Sequence, residues 1–111
     1  MNKFVKKDGT LSARAERLLT CAMTGVCADR RYTKKGVILR LKLKDYGGHG
    51  RFTHVNDCDH RFFKEMMDAA GIDFAEGNDA PRGGKIGDFI EVKALDILAL
   101  IRNPSRLADH E

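Results

Sequence analysis

Four side chains of the kinds that hold zinc fall in one short stretch of the chain: His49, His54, Cys58 and His60. Imidazole nitrogen and thiolate sulfur are what a tetrahedral zinc site takes, but structural sites draw them from close pairs such as C-x2-C or H-x3–5-H. Only the step from His54 to Cys58 approaches such a pair. If a loop, a short strand and a helix start fold the four together, the segment is a zinc-structural or zinc-dependent nuclease-like centre. If they scatter, His49 is a turn residue, His54 an exposed strand residue, Cys58 a small buried residue and His60 a first-turn residue.

Proton transfer is the second chemistry these residues suggest. A carboxylate orients an imidazole for general acid–base work, and His54 has Asp57 and Asp59 close behind it. The same aspartates suit the first turn of a helix, and no nucleophile, base and orienting group stand at a telling spacing. No catalytic residue is therefore assigned, and a non-enzymatic role is expected, with no cofactor unless zinc binds. The glycine-rich stretches add none. Arg82-Gly83-Gly84-Lys85-Ile86-Gly87 has neither the preceding glycine nor the following Ser/Thr of a P-loop. Gly47, Gly48 and Gly50 open no helix, so they are not a dinucleotide fingerprint.

Cations carry the stronger signal. Gly36 to Lys44 alternates Val37, Leu39, Leu41 and Leu43 with Ile38, Arg40, Lys42 and Lys44, the period of a strand with one buried face. Alternate residues of a strand stand about 6.6 to 6.8 Å apart, so the three cations are placed to meet successive parts of a polyanion. Arg30, Arg31, Lys34 and Lys35 precede them, and Tyr32 and Tyr46 lie among them as stacking candidates. Arg82 and Lys85 read as a basic finger whose glycines let the backbone approach a phosphate. A row of strand lysines also protects an edge from aggregation, which is the ordinary alternative.

The charge is lopsided. Residues 1–40 hold ten Lys/Arg against Asp8, Glu16 and Asp29, whereas residues 41–111 hold ten against thirteen Asp/Glu. A basic half beside an acidic one points to a polyanionic partner, nucleic acid first. The expected function is a small nucleic-acid-binding accessory protein. The alternative is a protein-interaction module, an inhibitor or adaptor of the kind phages and mobile elements encode, binding an acidic protein surface.

The elements that must position these residues follow from pattern. At 111 residues the chain suits one domain. It has no apolar run of membrane-spanning length, and three irregularly spaced cysteines fit a reducing cytoplasm better than a disulfide framework. Residues 1–10 read as a flexible basic arm and 104–111 as a flexible tail. Ser12 caps a helix ending at Gly25, with Ala15, Leu18, Leu19, Ala22 and Met23 on one stripe. Arg51 to Val55 is expected to return as a hairpin partner of the 36–44 strand through the loop Asp45–Gly50. A second helix runs from a cap at Asn56, Asp57 or Asp59 to Gly71, burying Phe62, Phe63, Met66, Met67 and Ala70. Residues 73–87 read as a long loop, 88–93 as a strand, and 94–102 as a helix, although its β-branched residues also suit a strand. Together these predict an α+β fold, a small mainly antiparallel sheet packed with two or three helices. An oligonucleotide-binding type of barrel is the variant in which the sheet closes.

Overall fold

The structure, a computed structural model, describes residues 2–25, 28–43, 54–78 and 88–108. Its elements are α1 (Ala13–Thr24), β1 (Asp29–Thr33), β2 (Gly36–Leu43), β3 (His54–Val55), α2 (Asp57–Ala70), β4 (Ala75–Asn78), β5 (Asp88–Lys93), α3 (Ala94–Arg102) and α4 (Ser105–Ala108). The fold is α+β. No helix among the described residues is long and apolar enough to cross a membrane.

Local signals set the two long helices. Ser12 Oγ accepts the Ala15 backbone N–H and Asn56 Oδ1 accepts that of Asp59, at 3.3 and 2.7 Å, so each helix starts on a side-chain cap. Gly25 and Gly71 close them, and Ile72 N–H returns to the Met67 carbonyl at 2.9 Å, a Schellman-type ending. The stripe of α2 is core: Phe63, Met66 and Met67 are fully enclosed.

β2 is the centre of the sheet, whose order is β1-β2-β5-β4 with every neighbouring pair antiparallel. Leu39, Leu41, Ile90 and Val92 turn to one face, where they join the helices in the apolar core. The register places Arg31, Ile38, Arg40, Lys42, Phe89, Glu91, Ala75 and Gly77 on the other face. β1 and β4 lie at opposite ends of this order, so the sheet is open and the barrel variant is excluded.

Three local expectations are corrected. β3 pairs with β2 in parallel, Lys42 beside His54, instead of returning as a hairpin. β5 occupies one edge of β2 over Ile38–Lys42, and β1 occupies the other over Gly36–Arg40. Only the last residues of that second edge remain for β3. The hairpin partner of β2 is β1, joined through Lys34 and Lys35. No residue other than glycine has a positive φ, so a primed two-residue turn is ruled out, and Gly36 at φ 118° supplies the left-handed step. Finally, the segment read as a loop contains β4, an edge strand against β5.

The N-terminal residues 2–11 are docked, where a frayed arm was expected. Val5 bridges Leu11, the Ser12 N–H returns to the Phe4 carbonyl at 2.8 Å, and Phe4, Val5 and Leu11 are buried. Phe4 meets Phe62 of α2 edge to face at 5.3 Å, and Asn2 donates to the Leu107 carbonyl of α4. Part of the expected C-terminal tail is held in the same way, since Leu107 is fully buried.

Gly77 is a close approach. The Phe89 ring lies across it from the neighbouring strand, and a Cβ there would stand 2.5 Å from Cζ. The Arg40 guanidinium covers the same ring at 4.0 Å from its centroid. Gly77→Ala is expected to push the ring out of this sandwich and destabilise the protein by about 1–2 kcal/mol. An unchanged urea midpoint would show that the ring moves aside without cost.

Candidate nucleic-acid interface

The basic residues do not form one row. Arg31 and Arg40, on the open face, both reach the Glu91 carboxylate at 3.2 Å. Glu91 is the direct cross-strand neighbour of Arg40, so the period of two that aligned the cations also aligned an acid against them. Lys42 is half-buried in the middle of the sheet, between Phe89 and His54. On α1, Arg14 and Arg17 are drawn onto Asp59 at 3.0 and 3.3 Å, which ties α1 to the start of α2. Lys3 pairs with Glu65. Much of the positive charge in the first forty residues is therefore spent on packing contacts.

The β1–β2 hairpin is different. All five residues of β1 are exposed, on both strand faces, and so are Lys34, Lys35 and Gly36, so its tip stands clear of the helical layer. Arg30 and Tyr32 share one face by strand alternation, and Lys34 and Lys35 form the tip. Arg30 donates to the Met23 carbonyl, a neutral acceptor that leaves its charge uncompensated. Tyr32 is 75% exposed, which removes the core-packing explanation for this aromatic. The Thr33 hydroxyl braces the turn, donating to the Gly36 carbonyl at 2.7 Å and accepting the Lys35 N–H at 3.2 Å. Lys44, Tyr46, Arg82 and Lys85 lie outside the described residues.

Of the candidate zinc ligands, His49 lies outside the described residues, and only the backbone of His54 is described. The structure separates the other two. Cys58 and His60 are two residues apart on α2 and so point in nearly opposite directions, Cys58 to solvent and His60 inward. The expectation of a buried Cys58 is thereby corrected. Asp57 is taken up by Arg61 at 2.9 Å and Asp59 by Arg14 and Arg17, so both act at the helix start and neither is left to orient an imidazole. No group of three or more His, Cys, Asp or Glu among the described residues could hold a metal ion.

His60 emerges as a distinct feature. It is 9% exposed, and its Nε2, shut away from solvent, has no hydrogen-bond partner. It forms part of the wall of a cavity of about 340 Å³ between α2, the edge strand β4 and the start of β5. Burial and then the nearby Lys64 lower its pKa from the ordinary 6.5, against the opposing pull of Asp88, Asp57 and Glu76. The unfolded chain therefore binds this proton more readily than the folded one. The stability that neutral His60 contributes is complete above pH 6.5 and is lost as the pH falls below it. Thermal melts at pH 7.5 and pH 5.5 (about one unit either side of the imidazole range) are expected to show a drop that His60→Gln reduces. An equal drop in both proteins would assign it to other groups.

An open antiparallel sheet with helices on one face and a protruding basic hairpin is, as a class, a scaffold that presents a β-ribbon. No family model, curated protein or solved structure matches this chain. Its function is therefore argued from the site itself.

Proposed function

We propose that the protein is a small non-enzymatic nucleic-acid-binding accessory protein that presents the β1–β2 hairpin to the nucleic acid. The observation that carries this reading is the hairpin tip, where Arg30, Lys34 and Lys35 surround a Tyr32 that is 75% exposed. A two-stranded ribbon is one of the two elements that fit the major groove of DNA. Cations supply the affinity for phosphates, and an exposed aromatic supplies stacking where bases are unpaired. Arg31, Arg40 and Lys42 stand behind the tip and extend the positive surface, with Arg31 and Arg40 moderated by Glu91.

Fluorescence anisotropy with labelled duplex DNA, single-stranded DNA and RNA at about 50 mM salt tests the proposal directly. Binding that weakens steeply with added salt is expected. No binding to any of the three would reject it. Tyr32→Ala separates the modes: stacking on unpaired bases predicts a loss of about 1–3 kcal/mol on single strands and little change on duplex.

A second reading rests on the other property of β1. It is an edge strand paired only with β2 among the described residues, and its free edge is available for strand addition by an acidic segment of another protein. Here the chain would act as an inhibitor or adaptor. Co-purification of a protein partner that survives nuclease treatment and is lost in the β1 variants favours this reading over the first.

A further inference from the structure

The cavity beside His60 has the opposite electrical character from the hairpin. Three carboxylates of α2 (Asp57, Glu65 and Asp68) line it with Glu76 of β4 and Asp88 of β5, against only Arg61 and Lys64. The volume of about 340 Å³ lies in the range of small-molecule sites. Leu43 and Phe89 give it an apolar wall. Acidic clusters on helices are commonplace and by themselves mean little. What distinguishes this one is His60, more than nine-tenths buried with an Nε2 that nothing in the protein satisfies. A buried polar atom without a partner costs about 1–3 kcal/mol, so its retention in a cavity wall calls for an occupant.

We propose that this cavity binds an organic cation bearing N–H donors, a primary amine or guanidinium. The positive group lies among Glu76, Asp88 and Asp68, and one N–H is accepted by Nε2 of a neutral His60. Glu76 is held by Lys64 and Asp88 accepts from Asn78 Nδ2 at 2.7 Å, so entry of a cation competes with Lys64 and leaves the Asn78 contact in place. Asp68 has no side-chain partner among the described residues. The cation is either a free metabolite-sized amine or the Arg or Lys side chain of a bound peptide; both offer the same chemistry. The site is independent of the hairpin, which takes anions.

Agmatine, with a guanidinium at one end and an amine at the other, is the free probe, and a blocked Gly-Arg-Gly peptide the tethered one. Long-range ¹H–¹⁵N spectra of the imidazoles, with the His60 signals assigned by their absence in His60→Gln, are the readout. Agmatine is expected to shift the His60 signals saturably at millimolar concentration, and succinate is expected to leave them in place. Asp68→Asn should weaken binding about threefold, because this carboxylate is exposed and screened. Lys64→Met should tighten it about threefold or more, a gain that misfolding cannot imitate. The stronger of the two probes identifies the source of the cation. If neither probe moves His60 at tens of millimolar, if succinate moves it equally, or if Lys64→Met weakens binding, the proposal is overturned.

Discussion

Replacing Arg30, Lys34 and Lys35 together with alanine is expected to weaken nucleic-acid binding about a hundredfold near 0.1 M salt, while leaving the thermal melt in place. The magnitude follows from counterion release. Each phosphate contact contributes about 0.9 to the slope of log K against log salt on duplex DNA, so three contacts remove about 2.7. The melt should hold because all three side chains are exposed and none is part of an ion pair that holds two elements together. By comparison, Arg40→Ala with Lys42→Ala should reduce binding less. Arg40 is already engaged by Glu91 at 3.2 Å, and both side chains are half-buried in the sheet. A salt titration of the two variants decides the matter. If the hairpin variant keeps the wild-type slope and the strand variant loses it, the interface is the sheet face and not the hairpin.

Phe4→Ala is expected to destabilise the protein by about 3–5 kcal/mol, the usual cost of emptying a phenylalanine site in a core. Against a total of about 5–15 kcal/mol for a domain, that is a large fraction. The reason is where the ring sits. Phe4 is 4% exposed and packs on Phe62, with the Lys3 ammonium 5.5 Å from its centroid, and the residues on either side are tied to α4 and α1. A frayed arm would predict a change within about 0.5 kcal/mol, as for an ordinary surface position. Chemical denaturation monitored by far-UV circular dichroism separates the two. A midpoint within error of wild type would return residues 2–11 to the status of a loose arm.

The Phe4 result bears on how much of this fold its sequence reveals. Patterns of apolar residues report burial within an element, and they served well wherever an element buries its own face. β2 and β5 alternate because one face of each packs on helices, and α1 and α2 carry stripes with caps at both ends. β1 and β4 show no such pattern because edge strands form by pairing with a central neighbour. Asp-Arg-Arg-Tyr-Thr buries nothing, and Ala-Glu-Gly-Asn is a poor strand by propensity that β5 nevertheless recruits. Residues 2–11 offer too few apolar positions to show a period. Phe4, Val5 and Leu11 become core only because α2 and α4 leave a place for them.

For the candidate site, the kinds of residues were legible and their company was not. Arg30, Arg31, Tyr32, Lys34 and Lys35 stand out in the chain by charge and aromatic content, and any fold would have kept most of them at the surface. That Glu91 faces Arg31 and Arg40 depends on the pairing of β2 with β5, fifty-one residues apart between Arg40 and Glu91, which no local pattern encodes. The emergence of His60 has the same origin. Its helix is readable from Asn56 to Gly71, but its burial depends on the inner face of α2 packing beside β4 and β5, and its unpaired Nε2 on what those strands bring to it.

Sequence alone thus determined the composition and polarity of this protein: the two capped helices, the central strands, and a basic first half that cannot be buried. The tertiary structure decided which of those charges stay available. Carboxylates distant in the chain, at Asp59, Glu65 and Glu91, are brought against the arginines and lysine of α1, the N-terminal segment and the sheet face, leaving the tip of the β1–β2 hairpin as the place where positive charge meets solvent without an opposing acid. The physical reason is that charge is a property of residues, whereas its neutralisation is a property of the distances between them, and only the packed chain sets those distances.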